Sequence, residues 1–465
     1  MKTAPDRLHK TSPTFKGTDS GVIQSDTSFL REELRVNGPS SAVDFVDGGS
    51  ENPDKILLGQ MLFFEKELSG NRNISCATCH HPLAGTGDGL SLPVGEGGRG
   101  LAVTRDTGMG SEAITERVPR NAPPIFALGS GDVTHMFWDG RIEQDPDFPS
   151  GFLSPAGHQL PDHLDNILAV QAMFPVTSPA EMAGEPGDVD VFGEPNEVAG
   201  PAAAADFPEI WERLAMRLRS IPEYVALFEA AFPAEIGGAS DIEFFHAANA
   251  IAAFEISTWR ADNTPFDRYR RGEWGAMSWE AKRGMWLFYG KAGCADCHAG
   301  EIFSDMAFHA IAMPQIGPGK GHGAGPEDWG RGAVSGDPSD NFKFRTPPLR
   351  NVELTGPFGH SGAYNTLEEV IRHHLDPVAA LYGYDCERQP VLPSRVDLDD
   401  KDCAVMNSEA LVASIAAANQ LSPKSLNDRQ VAAILAFLRA LTDPDSVDLR
   451  IDVPRSVPSG LSIVE

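Results

Sequence analysis

Two strings, Cys76-Ala-Thr-Cys79-His80 and Cys294-Ala-Asp-Cys297-His298, decide how this chain must be read. Cys-x-x-Cys-His is the attachment signature of c-type haem. Both thiols add across the vinyl groups of one porphyrin, and the adjacent imidazole takes the proximal side of the iron. The chain has only six cysteines, and four of them fall in these strings. Zinc or redox-dithiol chemistry is the competing reading. A zinc site wants four Cys or His ligands clustered together, whereas the strings stand 218 residues apart (294 − 76). Two covalently bound c-type haems are therefore expected.

Working outward, each string follows a stretch of helical apolar spacing: residues 55–64 (KILLGQMLFF) before the first and 279–289 before the second. Further helical patterns cover 209–220, 223–231, 242–258, 366–375 and 426–441, and strand patterns are nearly absent. Residues 81–120 and 317–340 are Gly-rich loop, and 183–206 reads as an inserted surface loop rich in Pro, Gly and acids. The expected fold is mainly α, with two cytochrome-c-like haem domains and long connecting loops. The expected boundaries are a polar arm over 1–45, an N-terminal haem domain over 46–270, a C-terminal haem domain over 271–445 and a tail over 446–465. The halves share an apolar helix followed by the attachment string, but the residues around the strings are not visibly repeated.

A chain of 465 residues is long for one core and usually divides. Its 41% hydrophobic content is ordinary for a globular protein. No stretch approaches the ~20 apolar residues of a membrane span, and the segment 430–441 is amphipathic and too short. Residues 1–17 are polar and hold no secretory h-region. Haem attachment of this kind happens outside the cytoplasm, so a periplasmic or otherwise extracytoplasmic location is expected, with numbering that starts on a mature or re-engineered chain. The formal charge of −28 offers no basic footprint for nucleic acid. It would steer a basic partner protein, or serve solubility alone. Cys386 and Cys403 flank a Pro- and Asp-rich loop, and outside the cytoplasm they are expected to be disulfide-bonded; two unrelated thiols are the alternative.

Several longer strings resemble one family: the bacterial di-haem cytochrome c peroxidases and the related protein-oxidising enzymes that mature methylamine dehydrogenase or methanobactin-associated proteins. They are LGQMLFFEKELSGNRNISCATCH, Arg120-Asn121-Ala122-Pro123, Phe137-Trp138-Asp139-Gly140-Arg141, Glu181-Met182, FEISTWRADNTPFDRYRRGEW and FRTPPLRNVELTGPFGHSGAYNTLEEVIRHH. The similarity runs from about Leu57 to about Leu441, apart from enlarged loops near 145–165 and 183–206.

That resemblance implies a division of labour, with peroxide at the N-terminal haem and electrons entering at the C-terminal one. His80 and His298 would be the proximal iron ligands, held beside Cys76, Cys79, Cys294 and Cys297. Glu181 would be the acid–base catalyst, Gln171 the polar residue facing bound peroxide, and Trp138 the indole between the haems. Without the flanking match, Glu181 would read as one solvated carboxylate among 66 acids and Trp138 as core packing. The resemblance also implies Arg345 and His360 near the haem propionates, and a calcium ion (Ca2+) held by Asn121, Thr355 and Pro357.

Two departures stand out. Ordinary peroxidases of this kind carry a distal His in the loop after the first haem. Here residues 92–98 (LPVGEGG) hold none, and Glu96 lies near that place. His374 falls where those enzymes put a distal Met on the second haem, with His373 next in line. A bis-His haem has a lower potential than a His/Met one. The expected function is a peroxidase that reduces hydrogen peroxide to water with electrons from a small redox protein. The alternative is a maturation-type enzyme that uses peroxide to oxidise Trp or Tyr on a partner protein substrate. A third reading, a non-catalytic electron carrier, is disfavoured by Glu181, Gln171 and Trp138. No nucleic-acid partner is expected, and a homodimer is left open.

Overall fold

The computed structural model describes residues 45–46, 52–110, 113–320, 322 and 325–463. The arm read over 1–45 lies, but for Phe45, outside them. Helix α1 (Pro53–Phe63) starts where Asn52 accepts hydrogen bonds from the Asp54 and Lys55 amides and Pro53 pre-sets the first turn. It is followed in chain order by α2 (Ile167–Ala172), α3 (Phe207–Arg219), α4 (Pro222–Ala231), α5 (Phe244–Thr258) and α6 (Trp279–Tyr289). The last two labelled helices are α7 (Leu367–Leu375) and α8 (Asp428–Arg439). Capping boxes of Thr366 with Glu369 and Asn427 with Gln430 set the starts of α7 and α8. The described residues are helix-rich. Their sheet is confined to an antiparallel ribbon of His135–Met136, Ile142–Gln144 and Phe152–Leu153, and a pair of Phe308–His309 with Phe344–Arg345.

The longest packing contacts pair α1 with α5 and α6 with α8. Both depend on a glycine. A Cβ on Gly59 would stand 1.9 Å from the Ala250 carbonyl oxygen, and one on Gly284 would stand 1.8 Å from that of Ala433. The two contacts are copies of each other in sequence. Gly59-Gln-Met-Leu-Phe63 and Gly284-Met-Trp-Leu-Phe288 share Gly-x-x-Leu-Phe; Ala250-Ile-Ala-Ala-Phe254 and Ala433-Ile-Leu-Ala-Phe437 share Ala-Ile-x-Ala-Phe. A repeat not visible in the residues around the attachment strings is thus present in the helices that precede and pack beneath them. The repeat is of helix-contact positions, which only the packing aligns.

Three loop expectations also change. The stretch read as a surface loop over 183–206 is largely exposed, including Val189, Val191 and Phe192, but it is anchored: Val198 and Ala199 are buried, and Asp190 is buried against Arg72. The 317–340 loop contains the turn Arg331–Ser335 and the buried Asp328. The Pro/Asp-rich loop between the two remaining cysteines contains helix Val396–Asp402, and Cys386 and Cys403 are joined as a disulfide. Residues 446–463, read as a C-terminal tail, return to the N-terminal half. Leu449 and Val457 are buried in its core, the Trp259 indole donates to Asp452 and Ser459 donates to Glu65.

Candidate active site

The first attachment string forms the short helix Cys76–Cys79, and the His80 amide closes its last turn onto the Cys76 carbonyl. The His80 Nδ1 lies 3.1 Å from the Thr86 carbonyl oxygen, which leaves Nε2 to face a cavity. Thr86 is fully buried at φ +60°, a costly conformation for a β-branched residue, and it puts that carbonyl under the imidazole. The second string repeats the device: His298 Nδ1 lies 3.0 Å from the carbonyl of Phe303, itself at φ +57°. Fixing Nδ1 in this way orients an imidazole whose other nitrogen ligates metal. None of the four cysteines of the two strings is in a disulfide, which leaves all four for haem attachment.

The cavity above His80 brings together Cys76, Cys79, Trp138, Gln171, Glu181 and Arg345. Gln171 comes from α2, which Asn166 caps. Glu181 sits on Pro179–Ala183, wound as a π-turn in which the Ala183 and Gly184 amides reach back to Ser178 and Pro179. Such turns recur at functional sites. Burial raises the Glu181 carboxyl above its ordinary value, against the pull of Arg141 and Lys320. The Trp138 indole donates to the Asn121 carbonyl at 2.9 Å.

Arg345 is buried, and its guanidinium donates to the Phe137 and Thr346 carbonyls and to the Met306 sulfur. No ion pair to it occurs among the described residues, and burial pulls it down to about 10. A buried cation facing a cavity without an anion suits a haem propionate. His360 is buried as well, stacked at 3.6 Å on Phe344, with its Nε2 making no bond within the protein.

At the second string, His298 and His374 face each other with ring centroids 6.4 Å apart. That spacing leaves room for a haem iron between the two imidazoles. The His374 Nδ1 is taken by the Val370 carbonyl at 2.8 Å, one helical turn back, which leaves Nε2 free to ligate. Burial lowers both imidazoles, His298 to about 4, which keeps them neutral and able to ligate. His373 is excluded: Tyr364 Oη at 2.9 Å and the Ile311 carbonyl at 2.8 Å occupy both of its nitrogens. The residues present thus fit two haems.

The other site expectations fare differently. Glu96 lines a neighbouring hollow with Asn71, Asn73 and Asp188, and burial lifts it to about 7, while Pro93 reaches the cavity above His80. The Glu96 amide bonds the Ala180 carbonyl, so its loop braces the Glu181 turn. The Asn121 side chain donates to the Leu90 and Ser91 carbonyls, and its amide donates to the carbonyl of His360. Thr355 donates to Val352, and no bond joins Asn121 directly to Thr355 or Pro357 among the described residues. The cluster of Cys297, Asp305 and His309 has the size of a metal site, but Cys297 belongs to the second attachment string.

Sequence reasoning missed Lys320 and Glu255, which also line the cavity. Lys320 comes from a Gly-rich loop with no local signal. Glu255 is the one ionisable residue in the stretch AIAAFEI of α5, and burial raises it to about 8; that isolation was a readable signal.

Residues 53–274 match the family model for di-haem cytochrome c peroxidase. The methylamine utilization protein MauG of Methylorubrum extorquens is 32% identical over 325 residues, which covers 70% of this chain and 69% of that one. The cytochrome c551 peroxidase of Pseudomonas aeruginosa is 29% identical over 314 residues, 68% of this chain and 69% of that one. Among solved structures, a MauG-like protein associated with microbial copper homeostasis superposes with a TM-score of 0.54 at 25% identity, covering 87% of this chain and 94% of that one. Attachment strings, facing imidazoles and these similarities converge: this chain belongs to the di-haem cytochrome c peroxidase family of oxidoreductases.

Proposed function

We propose that this enzyme reduces hydrogen peroxide to water at the cavity above His80, with electrons from a small redox protein entering at the second attachment string. The observation that carries the reading is the meeting of His80, Gln171 and Glu181 in one cavity. A haem held by Cys76, Cys79 and His80 would supply an iron that binds peroxide and takes up its oxidising equivalents. The chain's own part is proton traffic. Cleaving the O–O bond towards water needs a group that takes the proton from the near oxygen and delivers it to the far one. Glu181, sheltered and raised above its ordinary value by burial, can hold and release that proton. Gln171 can donate a hydrogen bond to peroxide, and Arg141 and Lys320 keep Glu181 ionisable. Trp138 is tied to Asn121 and, through its own carbonyl, to the Arg345 amide at 2.8 Å, which suits an indole relay between two haems.

On this reading residues 46–270 and 271–445 are two haem domains related by the repeated helix contacts, the enzyme works outside the cytoplasm, and calcium sits near Asn121, Thr355 and Pro357. Glu181→Gln should cut peroxide turnover by about a hundredfold or more while both haems stay bound. Full activity in that variant would remove the assignment.

A second reading, oxidation of an aromatic side chain on a partner protein, is favoured by one feature: the 92–98 loop presents Pro93 to the cavity and holds no His. Rapid mixing of the fully oxidised protein with one equivalent of peroxide separates the two. An absorbance change before any reduction favours the second reading, and silence until one haem is reduced favours the first.

A further inference from the structure

Helix α6 is inverted in its use of tryptophan. The chain has seven Trp. Trp138, Trp211 and Trp259 are buried, whereas Trp274, Trp279 and Trp286 are 42%, 54% and 47% exposed. All three exposed indoles fall within thirteen residues. Ala281, Gly284, Met285 and Phe288 of α6 face inward, so Trp279, Lys282, Arg283 and Trp286, at positions i, i+3, i+4 and i+7, form one outward stripe. Large apolar rings on a solvated helix face are costly unless something covers them, and Trp and Arg are the residues that anchor protein interfaces.

Charge says what covers them. The chain as a whole carries 66 acids against 38 bases, but residues 268–291 carry six Lys or Arg against two Glu. Arg268 is spent on Glu273. Arg283 and Lys291 are exposed and form no ion pair among the described residues. Exposed Lys424 adds to the patch, its Nζ 2.9 Å from the Ala292 carbonyl. The patch also adjoins the second haem site. The Ala292 amide bonds back to Leu287 and the Gly293 amide to Gly290, which folds Cys294 against the end of the helix that carries Trp286.

We infer that the outward face of α6, with Lys291 and Lys424, is the docking surface for an acidic redox protein that exchanges electrons with the second haem. This rests on the reading in which electrons enter at that string. The net charge of −28 opposes an acidic partner only at long range, since charges beyond about 8 Å are screened at physiological ionic strength. At contact the local cations decide, and the indoles supply the apolar centre.

The test needs no turnover. The oxidised protein with both haems is titrated into an acidic plastocyanin and, separately, into a basic mitochondrial-type cytochrome c, with binding read from shifts in the probe's NMR spectrum. The acidic probe should bind more tightly. Lys282→Glu/Arg283→Glu should weaken it about tenfold or more and flatten its salt dependence. Trp279→Ala/Trp286→Ala should weaken it to a similar degree and keep the salt slope. Equal binding by the charge-reversed variant, or tighter binding of the basic probe, overturns the proposal. So does a wild-type dimer in sedimentation that these variants dissociate, because the face would then cover a second copy of this chain. Peroxide turnover with a small-molecule reductant, measured in the same variants, should match wild type. Its loss in wild type would instead count against the peroxidase reading.

Discussion

His373 and His374 are neighbours in sequence with opposite fates. One residue along a helix is a rotation of about 100°, which sends His373 into the Tyr364 and Ile311 contacts and His374 towards His298. Replacing His374 by Gly should abolish the low-spin signature of the second haem and leave that haem covalently attached. Replacing His373 by Phe should leave the signature and cost stability, because two buried hydrogen bonds go. An unchanged spectrum in His374→Gly would refute the ligand assignment. At this scale much of the site was legible. The attachment strings fix four thiols and two imidazoles, and the resemblance favoured His374, with His373 next in line. The hollow that Glu96 enters was not legible, because a residue's position in a loop says nothing about where its side chain points. Lys320 was invisible because its role comes from a loop that folds over the cavity from 139 residues beyond Glu181 (320 − 181).

Between elements, the two glycines make a sharper statement than any propensity. Helices α1 and α6 approach α5 and α8 so closely that a single methyl at Gly59 or Gly284 would overlap a backbone oxygen. Neither helix can yield without moving the attachment string that follows it. Gly284→Ala should therefore destabilise the protein by about 1–3 kcal/mol or more and lower incorporation of the second haem; Gly59→Ala should do the same for the first. Gly275, with open space where its Cβ would stand, is the control, and Gly275→Ala should leave thermal unfolding unchanged. Equal melting of Gly284→Ala and Gly275→Ala would show that the close approach is not required. Helices α3, α7 and α8 were readable because each has one apolar stripe and a cap, and α5 because its apolar run is long. Glu409–Ala418 escaped notice because it is Ala-rich on all sides and buries only Val412 and Ile415. Val396–Asp402 escaped because acids dominate it and Leu398 is its one buried apolar residue.

For the whole molecule, the question is what holds the N-terminal half to the C-terminal half around the two haem sites. Arg120 is the centre of that junction: fully paired and buried, it donates to Asp139 of its own half at 2.5 Å and to both oxygens of Asp328 from the other half, at 2.6 and 2.8 Å. Arg141 also pairs with Asp139, so Arg120 is the only guanidinium bonded to Asp328 among the described residues. Burial would raise both carboxyls, but Arg120, helped by Arg141 at Asp139 and by His322 at Asp328, holds them below their ordinary range. A depressed folded value gives stability that is present above the unfolded value of about 4 and is lost as pH falls below it. The wild type should thus gain stability as pH rises from about 3 to 5. In Arg120→Met, Asp328 keeps its burial and loses its cation, so its carboxyl should move above the unfolded value and the sign should reverse, with stability falling as pH rises from about 4 to 7. At neutral pH the variant should be about 3–5 kcal/mol less stable, because an uncompensated buried charge remains. Adding Asp328→Asn should restore part of that loss by removing the charge. Denaturant unfolding across this pH range reads both effects, and parallel pH profiles for wild type and Arg120→Met would mean that the halves are joined by something other than this buried triad.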